Sequence, residues 1–232
     1  MTRTLFSRPR RAALVTASAL LLAACGSLIG PSEPPPQLYI LHPALGAIGD
    51  AAQIDAQITV SPPVVSDVLD TKRIALKRGQ TMDYYANSAW TDQTPDLLQG
   101  LLVEALEQSG KAKAVGRVSS GVRPDYILVT EVHDFAAHYD GEAAPKIVVD
   151  VVAKLVTATR HDVVGTYDAH REAQASANSV PAVVDAFNEA SGAALEDIAG
   201  FALNSAGPPA PTAKSDDPPP APAARHRRHH RH

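Results

Sequence analysis

The sequence predicts an α+β fold: a single domain with a mainly antiparallel sheet and two main helices packed on one of its faces. Three observations predict it. Long β-branched runs follow one another between Tyr126 and Glu172 with only short turns between them, the pattern of an antiparallel meander. Two segments, after Pro95 and after Pro181, carry apolar residues at helical spacing. Strands and helices also fail to alternate regularly, as they would in a doubly wound sheet.

Taken in order, Ile54, Ala56, Ile58 and Val60 alternate with polar or acidic neighbours, the period of a half-buried strand, and Pro62-Pro63 ends it. Val64 to Leu69 reads as a turn or short helical loop, Arg73 to Lys77 as a second strand, and Gly79-Gln80 as a turn. Met82 to Trp90, MDYYANSAW, reads as extended. Thr94 is placed to cap a helix with Pro95 in its first turn; Leu98, Leu101, Leu102, Ala105 and Leu106 form its apolar stripe and Gly110 stops it. The meander is then Tyr126 to Phe135, Lys146 to Thr159 and Val163 to Glu172. A closing helix runs from Pro181 to about Leu203, burying Val183, Val184, Phe187, Ala190, Ala194, Ile198 and Phe201.

The ends differ in kind. Arg3, Arg8, Arg10 and Arg11 precede an almost wholly small or apolar run, Ala12 to Ala24, too short to remain as a membrane span. It closes on Leu-Ala-Ala-Cys, the lipobox pattern of a bacterial lipoprotein, and Cys25 is the only cysteine in the chain. Residues 1–24 therefore read as a lipoprotein signal peptide, and residues 25–36 as an acylated cysteine with a Pro-rich spacer. Each buried methylene adds about 0.8 kcal/mol, so three acyl chains exceed what stable anchoring needs. Gly26 stands where an aspartate would resemble an inner-membrane retention signal, which points to the outer membrane with the body facing the periplasm. Residues 37–205 form the domain. Residues 206–232 are Pro-rich and end in RHRRHHRH; with almost no large apolar residue they read as a disordered tail.

Charge and chemistry narrow the function. Removing residues 1–24 takes away four arginines and no acid, so the formal charge falls from −4 to −8. Residues 37–205 hold 12 basic and 22 acidic side chains, a poor surface for nucleic acid. The tail holds 5 basic residues, 2 acids and four histidines, and its arginines repel a dication, so an electrostatic role toward anionic lipid, lipopolysaccharide phosphate or an acidic partner is favoured over metal binding. No catalytic or nucleotide-binding signature occurs, and no cofactor is expected. His133 and His138 lie near Glu131, Asp134 and Asp140, but at strand spacing His133 shares a face with Glu131 and lies opposite Asp134, while His138 falls beyond the strand end; a solvated edge is favoured over a metal or acid–base site. His161 and His170 are weaker candidates still. Tyr84, Tyr85 and Trp90 have two readings, strand packing in the core or an aromatic rim at a partner surface.

The lipobox, the proline spacer, the LYIL opening and the ordered set Pro62, Leu69-Asp70, Arg73, Tyr84-Tyr85, Trp90, Pro95 and the Leu-rich helix resemble the ABC-type transport auxiliary lipoprotein family. The likeness extends through RPDYILVTEVHDFAAHYDG and VPAVVDAFNEASGAALEDIA and covers nearly all of residues 37–203. Two features depart from it: Ala89 stands where many relatives have arginine, and the His/Arg tail is extra. The resemblance implies a non-enzymatic, periplasm-facing lipoprotein of an MCE-type or paraquat-inducible lipid transport system, with the ATPase, permease and MCE protein on other chains. The expected partners are the membrane, through Cys25, and the MCE-type substrate-binding protein with its ABC permease and ATPase. Self-association stays open. Tyr84, Tyr85 and Trp90 are the candidate contacts. The alternatives are a periplasmic lipid-binding carrier and a lipoprotein activator of cell-wall synthesis.

Overall fold

The computed structural model describes residues 35–46, 48, 51–121 and 123–207. Cys25, the signal sequence, most of the spacer and the tail from residue 208 onward lie outside the described residues. The order is β1 (Gln37–Tyr39), β2 (Ile54–Val60), β3 (Arg73–Arg78), β4 (Thr81–Trp90), α1 (Thr94–Ser109), β5 (Ala112–Arg117), β6 (Tyr126–His138), β7 (Lys146–Thr157), β8 (Val163–Gln174) and α2 (Val180–Ser205). The α+β class and the single domain agree with the sequence reading.

All eight strands join one sheet, and β6 is its spine. One edge of β6 pairs with β7 along its whole length, and β7 pairs with β8, both antiparallel, as the β-branched runs predict. The other edge is shared. Tyr126 to Leu128 pair with β2, whereas Ala137 and His138 pair with β3, both parallel. Between them Val64 rejoins the ladder, donating to Thr130 O at 2.9 Å and accepting from Val132 N at 2.8 Å. Pro62-Pro63 therefore ends β2 as expected, but the chain returns to the sheet directly afterwards. The forked edge continues as β3–β4–β1 on one branch and β2–β5 on the other.

Strands β1 and β5 are additions to the sequence reading. AKAVGR is short, with small and charged residues that carry weak strand preference, and it pairs because α1 returns the chain parallel to β2. Thr94 is no cap: the N-cap position is Gln93, and the buried Thr94 hydroxyl donates instead to Thr71 O at 3.2 Å. Gly110 ends α1 in the left-handed conformation at φ 61°, which a side chain would oppose.

Both helices lie on one face of the sheet, α1 over β2 and β5 and α2 over β7 and β8, touching each other between. Buried Gln99 ties α1 to the end of β2 through a 3.0 Å bond from Nε2 to Val60 O. Trp90, Phe135 and Phe187 meet at the centre of the core. Trp90 stands edge-on to Phe187 at 5.2 Å, and Phe187 lies 4.9 Å from Phe135. Phe201 is half-buried rather than core, stacked on Tyr167 at 5.6 Å.

Candidate functional site

The irregular part of β4 builds the most distinctive surface. Ala75 pairs with Tyr84 and Arg73 with Ala89, so two steps along β3 are matched by five along β4. The surplus residues bulge outward, and Asn87 turns the chain at φ 51°, a left-handed conformation that asparagine tolerates better than most side chains. Before the bulge β4 pairs with β3; after it, Ser88 to Trp90 also pair with β1.

The bulge sets Tyr85 at the rim of an open groove of about 420 Å³, lined by Leu76, Arg78, Tyr84, Tyr85, Tyr139 and Asn178 among others. Tyr139 donates to Asn178 Oδ1 at 2.8 Å, which uses its one hydroxyl proton. Tyr85 must then donate to the Tyr139 oxygen, 2.9 Å away. The Arg78 guanidinium lies 4.9 Å above the Tyr139 ring, a cation–π contact. Burial, followed by the hydrogen bond to Tyr139, raises the Tyr85 phenol well above its ordinary value. Tyr84 is held separately: its hydroxyl donates to Val68 O at 2.9 Å, and the Arg73 guanidinium stacks 3.9 Å from its ring. The groove thus presents aromatic surface with fixed hydroxyls, the Arg78 cation and the Asp83 carboxylate.

The structure separates the three aromatic candidates. Tyr84 and Tyr85 line the groove. Trp90 has 0% exposure and cannot touch a partner, so the core-packing reading applies to it and the contact reading does not. Its position explains this, since Trp90 points with Ile74 toward the helices, opposite to Ala89 and Arg73. Arg78, Tyr139 and Asn178 were not singled out in the sequence; they come from the end of β3, the end of β6 and the approach to α2, and no local pattern links them.

The histidine reading is corrected in two respects. A bulge between Val132 and Asp134 lets β6 continue to His138, so this residue lies inside the strand rather than beyond it and reaches Asp134 Oδ2 at 2.9 Å. His133 contacts Glu131 at 3.5 Å and Asp150, the cross-strand partner of Asp134, at 3.8 Å, so the bulge puts His133 and Asp134 on one face rather than on opposite faces. Among the described residues no group of three or more His, Cys, Asp or Glu is arranged to hold a metal ion. The interior is filled as well: the cavity between the helices and the sheet, bordered by Leu98, Leu102, Thr130, Val132, Ser191 and Ile198, measures about 10 Å³, far below the ~300 Å³ from which ligand pockets start.

The Tyr85 environment predicts an alkaline effect. A folded-state value above the unfolded one near 10 favours the protonated phenol, so this contribution to stability is complete below about pH 10 and is lost as pH rises further. Tyr85→Phe removes the titrating group and flattens that decline; Tyr126, also raised by burial, leaves a residual slope. Denaturant unfolding from neutral pH to pH 11 checks this, and equal slopes for the two proteins would refute it.

A Bradyrhizobium diazoefficiens protein described as uncharacterized is 27% identical over 117 residues, 48% of this chain, which spans about a third (32%) of that protein's length. The crystal structure of protein XCC0632 from Xanthomonas campestris superposes with a TM-score of 0.70 at 25% identity, covering 73% of this chain and 95% of that one. A second solved structure, of an uncharacterized protein, shares the fold at a TM-score of 0.56 and 16% identity, covering 72% and 97%. The family model for the ABC-type transport auxiliary lipoprotein component matches residues 39–199, well over half of the chain, which therefore belongs to that family.

Proposed function

We propose that this chain is a non-enzymatic lipoprotein subunit of an MCE-type ABC lipid transport system, anchored in the outer membrane through Cys25 and docking the periplasmic end of the transporter through the Tyr84–Tyr85 groove. The filled interior carries the choice of role. A carrier that encloses an acyl chain between the helices and the sheet needs room there, and the cavity of about 10 Å³ has none; the groove of about 420 Å³ is open to solvent and suits a docking module, which needs only a specific surface. The bulged strand supplies one, with two half-buried tyrosines whose hydroxyls are already held, so little side-chain freedom is lost on binding. The acidic body favours a basic partner, and confinement to a membrane raises the local concentration enough for modest affinity to suffice.

Crosslinking in intact envelopes tests this. A photoreactive residue at exposed Ala86 or Asn87, beside the groove, is expected to capture an MCE-type subunit, while one at exposed Val118 serves as the control. Tyr85→Ala should weaken recovery of that subunit about tenfold or more, the size of an interface hot spot. Equal capture from Ala86 and Val118, or undiminished recovery with Tyr85→Ala, would sink the assignment of the groove.

A further inference from the structure

The sheet face turned away from the helices carries a charge pattern that groove docking does not use. Directly opposed residues in an antiparallel ladder share a face. The registers across β6, β7 and β8 therefore align Glu131, Val152 and Asp168 in one row, Asp134, Asp150 and His170 in the next, and Ala136, Val148 and Glu172 in a third. Five carboxylates fill three adjacent rows, with Lys154 and Lys146 in the rows that flank them.

Asp134 and Asp150 stand opposite each other, a like-charge pair that is unfavourable unless donors intervene. Some do. Asp134 Oδ2 is met by His138 at 2.9 Å and Lys77 at 3.6 Å, and Asp150 Oδ2 by His170 at 3.2 Å. The second oxygen of each, Asp134 Oδ1 and Asp150 Oδ1, is buried and has no hydrogen-bond partner among the described residues. Asp134 Oδ1 thus has no donor, and Asp150 Oδ1 has only the His133 ring at 3.8 Å, beyond hydrogen-bond reach, so the opposed pair keeps negative charge that a cationic donor would relieve.

The chain carries such donors itself. Its last eight residues, Arg225 to His232, are four arginines and four histidines. Their point of departure is known: the carbonyl of Gly207 accepts a 2.6 Å bond from the Tyr126 hydroxyl at the start of β6, the strand that holds Glu131 and Asp134. From Tyr126 to Asp134 is about 26 Å at strand rise. The 17 residues between Gly207 and Arg225 reach about 55 Å when extended. Length therefore permits the tail to round the end of the sheet.

We propose that the Arg225–His232 stretch docks in cis on the open face of the β6–β8 meander, its guanidinium groups seated on Asp134 and Asp150 and flanked by Glu131, Asp168 and Glu172. Exposed ion pairs are individually weak, but a tethered cluster meets its target at high effective concentration. The docked tail neutralises the acidic face and is withheld from other anionic surfaces. This inference is independent of the transporter reading.

The test compares two full-length secreted proteins lacking the acylated cysteine, one with the natural tail and one with Arg225, Arg227, Arg228 and Arg231 all changed to Ser. At low salt, amide NMR signals of residues 131–134, 149–151 and 169–171 should differ between them. High salt should erase the difference, because exposed pairs are screened. Asp150→Asn in the natural-tail protein should shrink it, and exposed Asp168→Asn repeats that test if Asp150→Asn does not fold. Adding the peptide RHRRHHRH to the Arg-less protein should restore the signals. Identical spectra at low salt, or differences confined to other parts of the domain, would overturn the proposal. So would tail-dependent changes that appear only with phosphatidylglycerol vesicles, which would assign the tail to lipid.

Discussion

Trp90→Ala is expected to lower the stability of the domain by about 3–5 kcal/mol, the range for deleting a fully buried aromatic side chain. In a domain of this size that corresponds to a fall in melting temperature of roughly 6–20 °C. The reason is geometric. Trp90 closes β4 against the helix layer, edge-on to Phe187 and tilted against Phe135 at 6.4 Å, with no exposure to solvent. Its indole Nε1 has no hydrogen-bond partner among the described residues, so Trp90→Phe loses volume without stranding a new polar group and should cost clearly less than Trp90→Ala. Thermal unfolding of the three proteins decides the matter. A loss below about 1 kcal/mol for Trp90→Ala, the size of an ordinary surface substitution or less, would contradict the buried placement. The same result bears on binding: reduced partner recovery with Trp90→Ala would report unfolding of the β4 end, which makes Tyr85→Ala the informative variant.

The second large effect follows from the proposed anchor and is all-or-none. Cys25→Ala removes the only thiol in the chain, so incorporation of labelled palmitate should cease and the protein should leave the membrane fraction. No helix among the described residues is long and apolar enough to cross a membrane. The exposed Leu38 and Ile40 beside the spacer are too few to hold a domain on a bilayer. Unchanged palmitate labelling of Cys25→Ala would refute acylation at this residue.

The meander was legible because its three strands are long, β-branched and joined by short turns, so each makes its own case. The α1 and α2 stripes were legible for the same reason, each spanning several turns. β5 was not, since AKAVGR has neither alternation nor β-branched residues beyond one valine, and only the parallel edge of β2 makes it a strand. The forked edge of β6 and the β4 bulge depend on pairings between distant segments, which local pattern does not contain. Tyr84 and Tyr85 could be marked from composition alone. Their partners Tyr139 and Asn178 could not, because the Tyr139 to Asn178 bond spans 39 residues and exists only once α2 is docked. Trp90 was ambiguous for a related reason: inside the bulged strand, counting alternate positions no longer tells which way a side chain faces.

The forked edge of β6 also divides the molecule mechanically. The β1–β4–β3 branch is laced to the spine by only two paired positions, Leu76 with Ala137 and Lys77 with His138, together with a 2.9 Å bond from Tyr139 N to Lys77 O. Its chief rivet is the Trp90 ring. This branch can therefore swing open as a unit at lower free energy than the meander, and its amides should lose their protons to deuterium earlier than those of β7. Tyr84 and Tyr85, the proposed contacts, ride on this looser branch, whereas Tyr139 and Asn178 across the groove belong to the firmer part of the domain.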